Sequence, residues 1–287
     1  MDTKASLPPL SWQRKDIEQR LFFPGGKHTR VNSLLSALIG LILAVSFYLA
    51  LIPFYGTLFA NYFTEQGLIP YSIVFFTGWS LAILFLKWRK LVFQQKALNY
   101  QVVSKDPDFI LSGGNADLVI DNIYEIVDDP RNFILFNRIS TALSNLKNLG
   151  RVGDVGEILR DQGEQDEAAV DTSYSVLNGF IWAIPVLGFI GTVLGLSSAI
   201  GEFALVLQDS EQSQNFEAIK VALRKVTGGL GTAFVTTLQA LVAALVLQLI
   251  ITFLKKSEDE FLENCSEYCL RNIVNRLRIS PFQSTEQ

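Results

Sequence analysis

Residues 182–204 read WAIPVLGFIGTVLGLSSAIGEFA, and residues 228–254 read GGLGTAFVTTLQALVAALVLQLIITFL. At about 1.5 Å rise per residue, roughly 20 residues cross the ~30 Å hydrocarbon layer, so each stretch is long enough to be a membrane helix. Both also carry a line of glycine, alanine and threonine. Such a seam marks a close helix approach, or a path for water and ions.

Working outward, 49% of the 287 residues are hydrophobic and 18% charged, with a mean hydropathy of +0.29. The charge is segregated: Val31 to Asn61, Gly67 to Leu86, Tyr174 to Gly201 and Val226 to Leu254 contain no Asp, Glu, Lys or Arg. Four spans follow. Basic residues at span ends set the orientation, since Lys/Arg-rich short loops stay cytoplasmic. Lys27 and Arg30 precede the first span, Lys87, Arg89 and Lys90 follow the second, and Lys255 and Lys256 follow the fourth. The link Asn61 to Gln66 has neither Lys nor Arg. Both termini and the middle region are therefore expected in the cytoplasm of a multi-pass protein, against the opposing signal of Lys220, Arg224 and Lys225 between spans three and four. Asp16, Glu18 and several prolines near the start do not make a cleavable signal. Leu10 to Phe23 reads either as a segment lying along the membrane surface or as an exposed tail, ended by the turn Pro24-Gly25-Gly26.

The expected fold is an all-α membrane protein, four transmembrane helices with long cytoplasmic helical extensions. Its parts are a cytoplasmic N-terminal segment (1–30), a first transmembrane hairpin (31–86), a cytoplasmic helical domain (87–175), a channel-forming pair (176–254), and a cytoplasmic C-terminal helix and tail (255–287). Within the middle region helices are predicted over Trp88 to Val103, Ala116 to Val127, Arg131 to Leu149 and Val152 to Ser173. Asp106-Pro107-Asp108, Gly113-Gly114-Asn115 and Asp129-Pro130 supply the breaks.

No Walker-type phosphate loop, nucleophile elbow or HExxH occurs, and His28 is the one histidine. Enzymatic activity, a cofactor, a metal and nucleic-acid binding are not expected. Cys265 and Cys269 share one side of a helix with Leu262, Ile273 and Leu277, and two thiols without further ligands do not make a zinc site. Asp161, Glu164, Asp166, Glu167 and Asp171 fit no calcium-ligand spacing and read as a solvated helix face.

On span three, Gly188, Gly191, Thr192, Gly195, Ser198 and Ala199 fall on one helical face. On span four, Ala233, Thr237, Ala240, Ala244 and Gln248 form a matching line. For the small residues the simplest reading is helix packing. Thr192, Thr237 and Gln248 admit a second reading, because their polar groups can line a wet pathway. A threonine hydroxyl can also satisfy itself on a carbonyl one turn earlier, so both readings stand on these residues alone. No carboxylate, lysine, arginine or histidine lies deep in any span, Glu202 falling near the outer end of span three. A proton pathway would need its acid from a second polypeptide.

Ile184-Pro185-Val186-Leu187-Gly188-Phe189-Ile190-Gly191-Thr192-Val193-Leu194-Gly195-Leu196 resembles the Pro-x-Leu-Gly-x-x-Gly-Thr-Val-x-Gly segment of the MotA/TolQ/ExbB proton channel family. Gly231 to Ala244 is similar to that family's last span, with Gln239-Ala240 where an apolar residue and a glycine are more usual. The resemblance covers roughly Asn178 to Leu254. It implies a ring, a pentamer by analogy, in a bacterial inner membrane around a dimer of a single-span MotB/TolR/ExbD-like partner whose membrane aspartate carries the ion. Thr192 and Thr237 match the threonines that face that aspartate, and Gly188, Gly191, Gly195, Ala233, Ala240 and Ala244 match the surrounding partner-facing seam. A proton is the default ion. A flagellar stator of the MotA kind, suggested by four spans and a large loop, and a non-conducting membrane scaffold are the alternatives.

Overall fold

The computed structural model describes residues 9–20, 23, 25–64, 67–104, 109–149, 152–208 and 216–277. Among them there is no strand, only two isolated parallel bridges, Leu10 with Val127 and Leu111 with Leu277. The helices are α1 (Trp12–Lys15), α2 (Ile17–Arg20), α3 (Ser33–Leu51), α4 (Leu58–Thr64), α5 (Ile69–Gln95), α6 (Ala116–Ile126), α7 (Ile134–Leu149), α8 (Val152–Ser173), α9 (Ser175–Gln208) and α10 (Phe216–Asn272). Four continuous helical stretches, Ser33–Phe54, Ile69–Asn99, Gly153–Leu205 and Ile219–Arg276, are long and apolar enough to cross a membrane. This is an all-α, multi-pass membrane protein. The 57 residues of α10 run about 85 Å at 1.5 Å per residue, far more than the hydrocarbon layer accommodates.

The chain divides into two compact units. One comprises Ser33–Leu84 and Ser175–Thr252, the other Met1–Asn32, Phe85–Tyr174 and Phe253–Gln287.

In the first of these, α3 and α5 cross at a glycine. A Cβ on Gly40 would lie 2.5 Å from Trp79 Cα, and one on Gly78 would lie 3.0 Å from the Gly40 carbonyl oxygen. Only hydrogen in place of a side chain permits that approach. The Trp79 indole N–H donates to Ser36 Oγ at 3.0 Å, so the crossing also satisfies a polar group in an apolar setting. Phe180 of α9 packs on Trp79 (4.7 Å between ring centres) and on Phe76 (5.2 Å). Exposed large apolar side chains cover the remaining faces, among them Leu34, Ile42, Leu49, Val193, Phe234 and Leu245, which suits lipid contact. After α3, Pro53 lies in a short 3₁₀ turn and α4 follows. The link expected at Asn61 is thus helical as far as Thr64, while its last two residues lie outside the described ones.

The other unit is a helical bundle with an aromatic centre. Trp12 is buried against Phe93 (5.7 Å) and Phe133 (5.4 Å). The Asp128 carboxylate accepts from Ser11 Oγ, Trp12 N and Gln13 N at 3.0–3.1 Å, capping the start of α1 from across the unit. The described part of the N-terminal segment is therefore built into a core, neither a surface-lying segment nor a loose tail. Helix α6 buries Ala116, Val119 and Ile123, three and four residues apart as an amphipathic helix requires. The buried amide of Gln94 donates to Asn132 O (2.7 Å) and accepts from Ile134 N (3.1 Å), capping α7.

Helix α5 does not continue to Val103 as its pattern suggests. It ends at Gln95, passes through a 3₁₀ turn (Lys96–Asn99) and becomes extended. The Tyr268 hydroxyl replaces the lost helical bonds, donating to Tyr100 O (3.0 Å) and accepting from Val102 N (3.3 Å). Adjacent Val102 and Val103 are both buried there. Cys265 and Cys269 are buried free thiols beside Leu262 and Ile273. One correction concerns the acidic face of α8: Asp166 is buried and bound by Arg138 Nε at 2.6 Å, so that face is not wholly solvated.

Candidate functional site

The glycine seam of α9 packs on the alanine and threonine seam of α10 so closely that side chains are excluded. A Cβ added to Gly188 would lie 2.5 Å from Ala240 Cβ. On Gly191 it would lie 2.7 Å from Thr236 Oγ1, and on Gly195 3.2 Å from Gly229 O. The relation is reciprocal, since a Cβ on Gly229 would meet Ala199 Cβ at 2.6 Å. Ala233, Ala240 and Ala244 are buried along this line. Pro185 sits inside α9, one turn before Gly188, and removes the N–H that would bond the Ile181 carbonyl.

One side chain expected on the seam is turned away from it, and one not expected there belongs to it. Gln248 is exposed, because the face of α10 that passes through Ala240, Ala244, Leu247 and Ile251 turns it away. Thr236 is buried, its hydroxyl donating to Ala233 O at 3.1 Å, and it fills the space that Gly191 leaves. Sequence reading passed over Thr236 in favour of its neighbour. The signal was there, since Thr236 precedes Ala240 by one turn and follows Ala233 by three residues.

At the centre of the seam, Thr192 and Thr237 meet. Their hydroxyls share a short hydrogen bond. Thr192 Oγ1 also reaches Ala233 O (3.0 Å) and Gly188 O (3.2 Å), while Thr237 Oγ1 reaches Gly188 O (3.1 Å). Two hydroxyl protons are thus shared among three contacts, the bond between the threonines and the carbonyls of Gly188 and Ala233, and none is left over. Each hydroxyl oxygen has two lone pairs, so acceptor capacity exceeds donor supply and is available to an incoming O–H. Both threonines are half-buried, which leaves that capacity reachable. A protonated carboxylic acid or a hydrated proton is the kind of donor that fits. The side chain of Glu202 lies outside the described ones.

Gln239, which stands where an apolar residue is more usual, does so for a visible reason. Its amide donates to Tyr62 O at 2.9 Å, fastening α10 to α4.

The most deeply buried charges occur in the other unit. Lys87 and Glu258, each 1% exposed, pair at 3.2 Å. Lys87 Nζ also donates to Ser173 Oγ at 2.8 Å and lies 4.3 Å from the centre of the Tyr174 ring. The Tyr174 hydroxyl donates to the second Glu258 oxygen. Lys90 pairs with buried Glu18 at 2.7 Å, and Glu18 also accepts from Gly26 N and Asn32 N. In sequence, Lys87 and Lys90 read only as span-end charges, yet both are buried while Arg89 between them is exposed. Their spacing of three puts them on one face of α5, but their partners lie 171 and 72 residues away. Among the described residues no group of three His, Cys, Asp or Glu is placed to hold a metal ion.

No curated protein and no solved structure matches this chain. A family model does match, over residues 130–267, which include both seams, the Thr192–Thr237 pair and Glu258. The matching model, over residues 130–267, is that of the MotA/TolQ/ExbB proton channel family.

Proposed function

We propose that this protein is the ring-forming subunit of an ion-driven motor in a bacterial inner membrane, coupling proton flow to mechanical work through a single-span partner. The observation that carries this reading is the Thr192–Thr237 hydroxyl pair, held by backbone carbonyls in a stretch where neither helix supplies an acid. A pathway with acceptors and no titratable group requires a carboxyl from elsewhere. The partner is a dimer of the MotB, TolR or ExbD kind bearing a membrane aspartate. In its protonated form that aspartate donates to the threonine pair. On losing its proton it leaves the site, because an anion finds no donor there while one hydroxyl proton lies between the threonines and the other is on a backbone carbonyl.

Several copies, a pentamer by family analogy, surround the partner and present this site in turn. The available drive is about 2.3 kcal/mol per elementary charge per 100 mV, comparable with the hydrogen bonds being exchanged. Gly188, Gly191, Gly195, Ala233, Ala240 and Ala244 hold the two helices close enough for the threonines to meet. Both termini and the unit containing α6, α7 and α8 lie in the cytoplasm in this reading, and the protein performs no covalent catalysis.

The span count of four favours, within this class, a stator of the MotA kind. Co-purification decides: a partner with a peptidoglycan-binding outer domain supports the stator, and a small TolR-like outer domain supports envelope energisation. The test of the class itself is Thr237→Val, which keeps shape and removes the hydroxyl. A motor loses its activity, whereas a scaffold that recruits proteins without conducting is unaffected.

A further inference from the structure

Apart from the seam, the unit containing α7 and α8 holds a polar cavity of about 360 Å³ between the Lys27–Arg30 loop and these two helices. Its wall carries Lys27 and Arg30 from the loop, Asn137 and Thr141 one turn apart on α7, and Gln162 and Gln165 on α8. Among the described residues neither Lys27 nor Arg30 has an ion-pair partner, and the three carboxamides and the Thr141 hydroxyl have no intramolecular hydrogen bond. The wall's one carboxylate, Asp166, is already neutralised by Arg138 at 2.6 Å. Two cations without an ion pair and four uncommitted polar side chains thus face one space.

The loop that presents the cations is fixed in advance. Arg30 N donates to Lys27 O at 3.1 Å. Glu18 accepts from Gly26 N and Asn32 N, and Lys90 Nζ donates to Gly26 O and Arg30 O. A Cβ on Gly26 would lie 2.4 Å from Arg30 O, so the loop closes tightly on itself. Within it His28 holds a φ of +57°, the one non-glycine residue with positive φ among those described. Such strain persists only where surrounding bonds over-determine it. Preorganised cations cost little further ordering when an anion arrives.

We propose that this cavity binds a phosphate-bearing anion, with Lys27 and Arg30 neutralising it and the carboxamides of Asn137, Gln162 and Gln165 donating to its oxygens. A phosphate ester suits the wall better than a carboxylate does, because it offers more acceptor oxygens to a larger donor set. Arg30 stands three residues before Ser33, where the first membrane-crossing helix starts. An anionic phospholipid headgroup and a soluble phosphate ester share the required chemistry.

The test uses the delipidated full-length protein in detergent and native mass spectrometry. The probes are dihexanoyl-phosphatidylglycerol, dihexanoyl-phosphatidylcholine, glycerol 3-phosphate and inorganic phosphate. Saturable binding of an anionic probe is expected, weakened about tenfold by Gln165→Leu, the loss of one hydrogen bond to a charged group, and abolished by Lys27→Gln with Arg30→Gln. Phosphatidylglycerol binding that inorganic phosphate and glycerol 3-phosphate fail to displace assigns a lipid headgroup. Equal binding of glycerol 3-phosphate assigns a soluble ester. Gln165 is exposed, so its replacement spares the core, and Thr141→Val checks the same wall from α7. The proposal is overturned if no anionic probe saturates, if phosphatidylcholine binds equally well, or if anion binding is unchanged in Gln165→Leu and Thr141→Val.

Discussion

Thr237 contributes one hydroxyl to a cluster in which every proton is already used, so its removal takes away an acceptor for the incoming acid without leaving a bulky hole. Thr237→Val, or Thr192→Val, is expected to lower partner-dependent proton flux about ten- to a hundredfold, the loss of a hydrogen bond made to an ionisable donor. Flux measured with a pH-sensitive dye in vesicles checks this, alongside an unchanged elution profile. At Lys87 and Glu258 the expectation concerns stability instead. Lys87→Met strands a buried carboxylate, and Glu258→Gln strands a buried ammonium, each costing about 3–5 kcal/mol. Combining them recovers much of the loss, because the amide oxygen introduced at position 258 still accepts from the Tyr174 hydroxyl; chemical denaturation of the three variants reads this out. His28 adds a pH term. Burial pushes its imidazole below the ordinary 6.5, with the nearby Asp166 carboxylate opposing and Lys27 and Arg138 assisting. The unfolded chain therefore binds the proton more readily, and stability is lost as pH falls from about 6.5 towards the lower folded value. His28→Asn, which tolerates the left-handed backbone, should flatten that slope in a thermal-unfolding series. Thr192 and Thr237 were legible in sequence because polar residues stand out in an apolar run. The Lys87–Glu258 pair was not, since a span-end lysine looks the same whether it meets water or a carboxylate 171 residues away.

The α9–α10 seam is a property of two whole elements, and its energetics follow from the missing side chains. Gly188→Ala places a methyl 2.5 Å from Ala240 Cβ, forcing the helices apart at about 1–3 kcal/mol. Adding Ala240→Gly removes the nearest obstacle, and a contact at 3.2 Å to the Thr236 carbonyl remains. Thermal stability and ion flux should both drop in the single variant and return in part in the double one. The seam was readable because small residues recur at helical spacing on both stretches. Where α5 ends was not readable: its pattern runs on to Val103, and the phenol that stops it comes from Tyr268 on α10, which no local pattern reports. The same limit hid α1, whose burial depends on Asp128 and Phe133 more than a hundred residues on, and α2, whose buried Glu18 is held by Lys90.

For the molecule as a whole, the four apolar helices, the absence of titratable side chains between Val226 and Leu254 and the family match over residues 130–267 all bear on one question. The chain offers acceptors to a moving proton and carries no acid of its own at the point where they meet. The decisive measurement is dissipation of an imposed pH gradient by liposomes holding this protein alone, with its co-purified single-span partner, or with that partner's membrane aspartate changed to asparagine. The account predicts a maintained gradient in the first and third preparations and rapid collapse in the second. Collapse at full rate with the protein alone would contradict it.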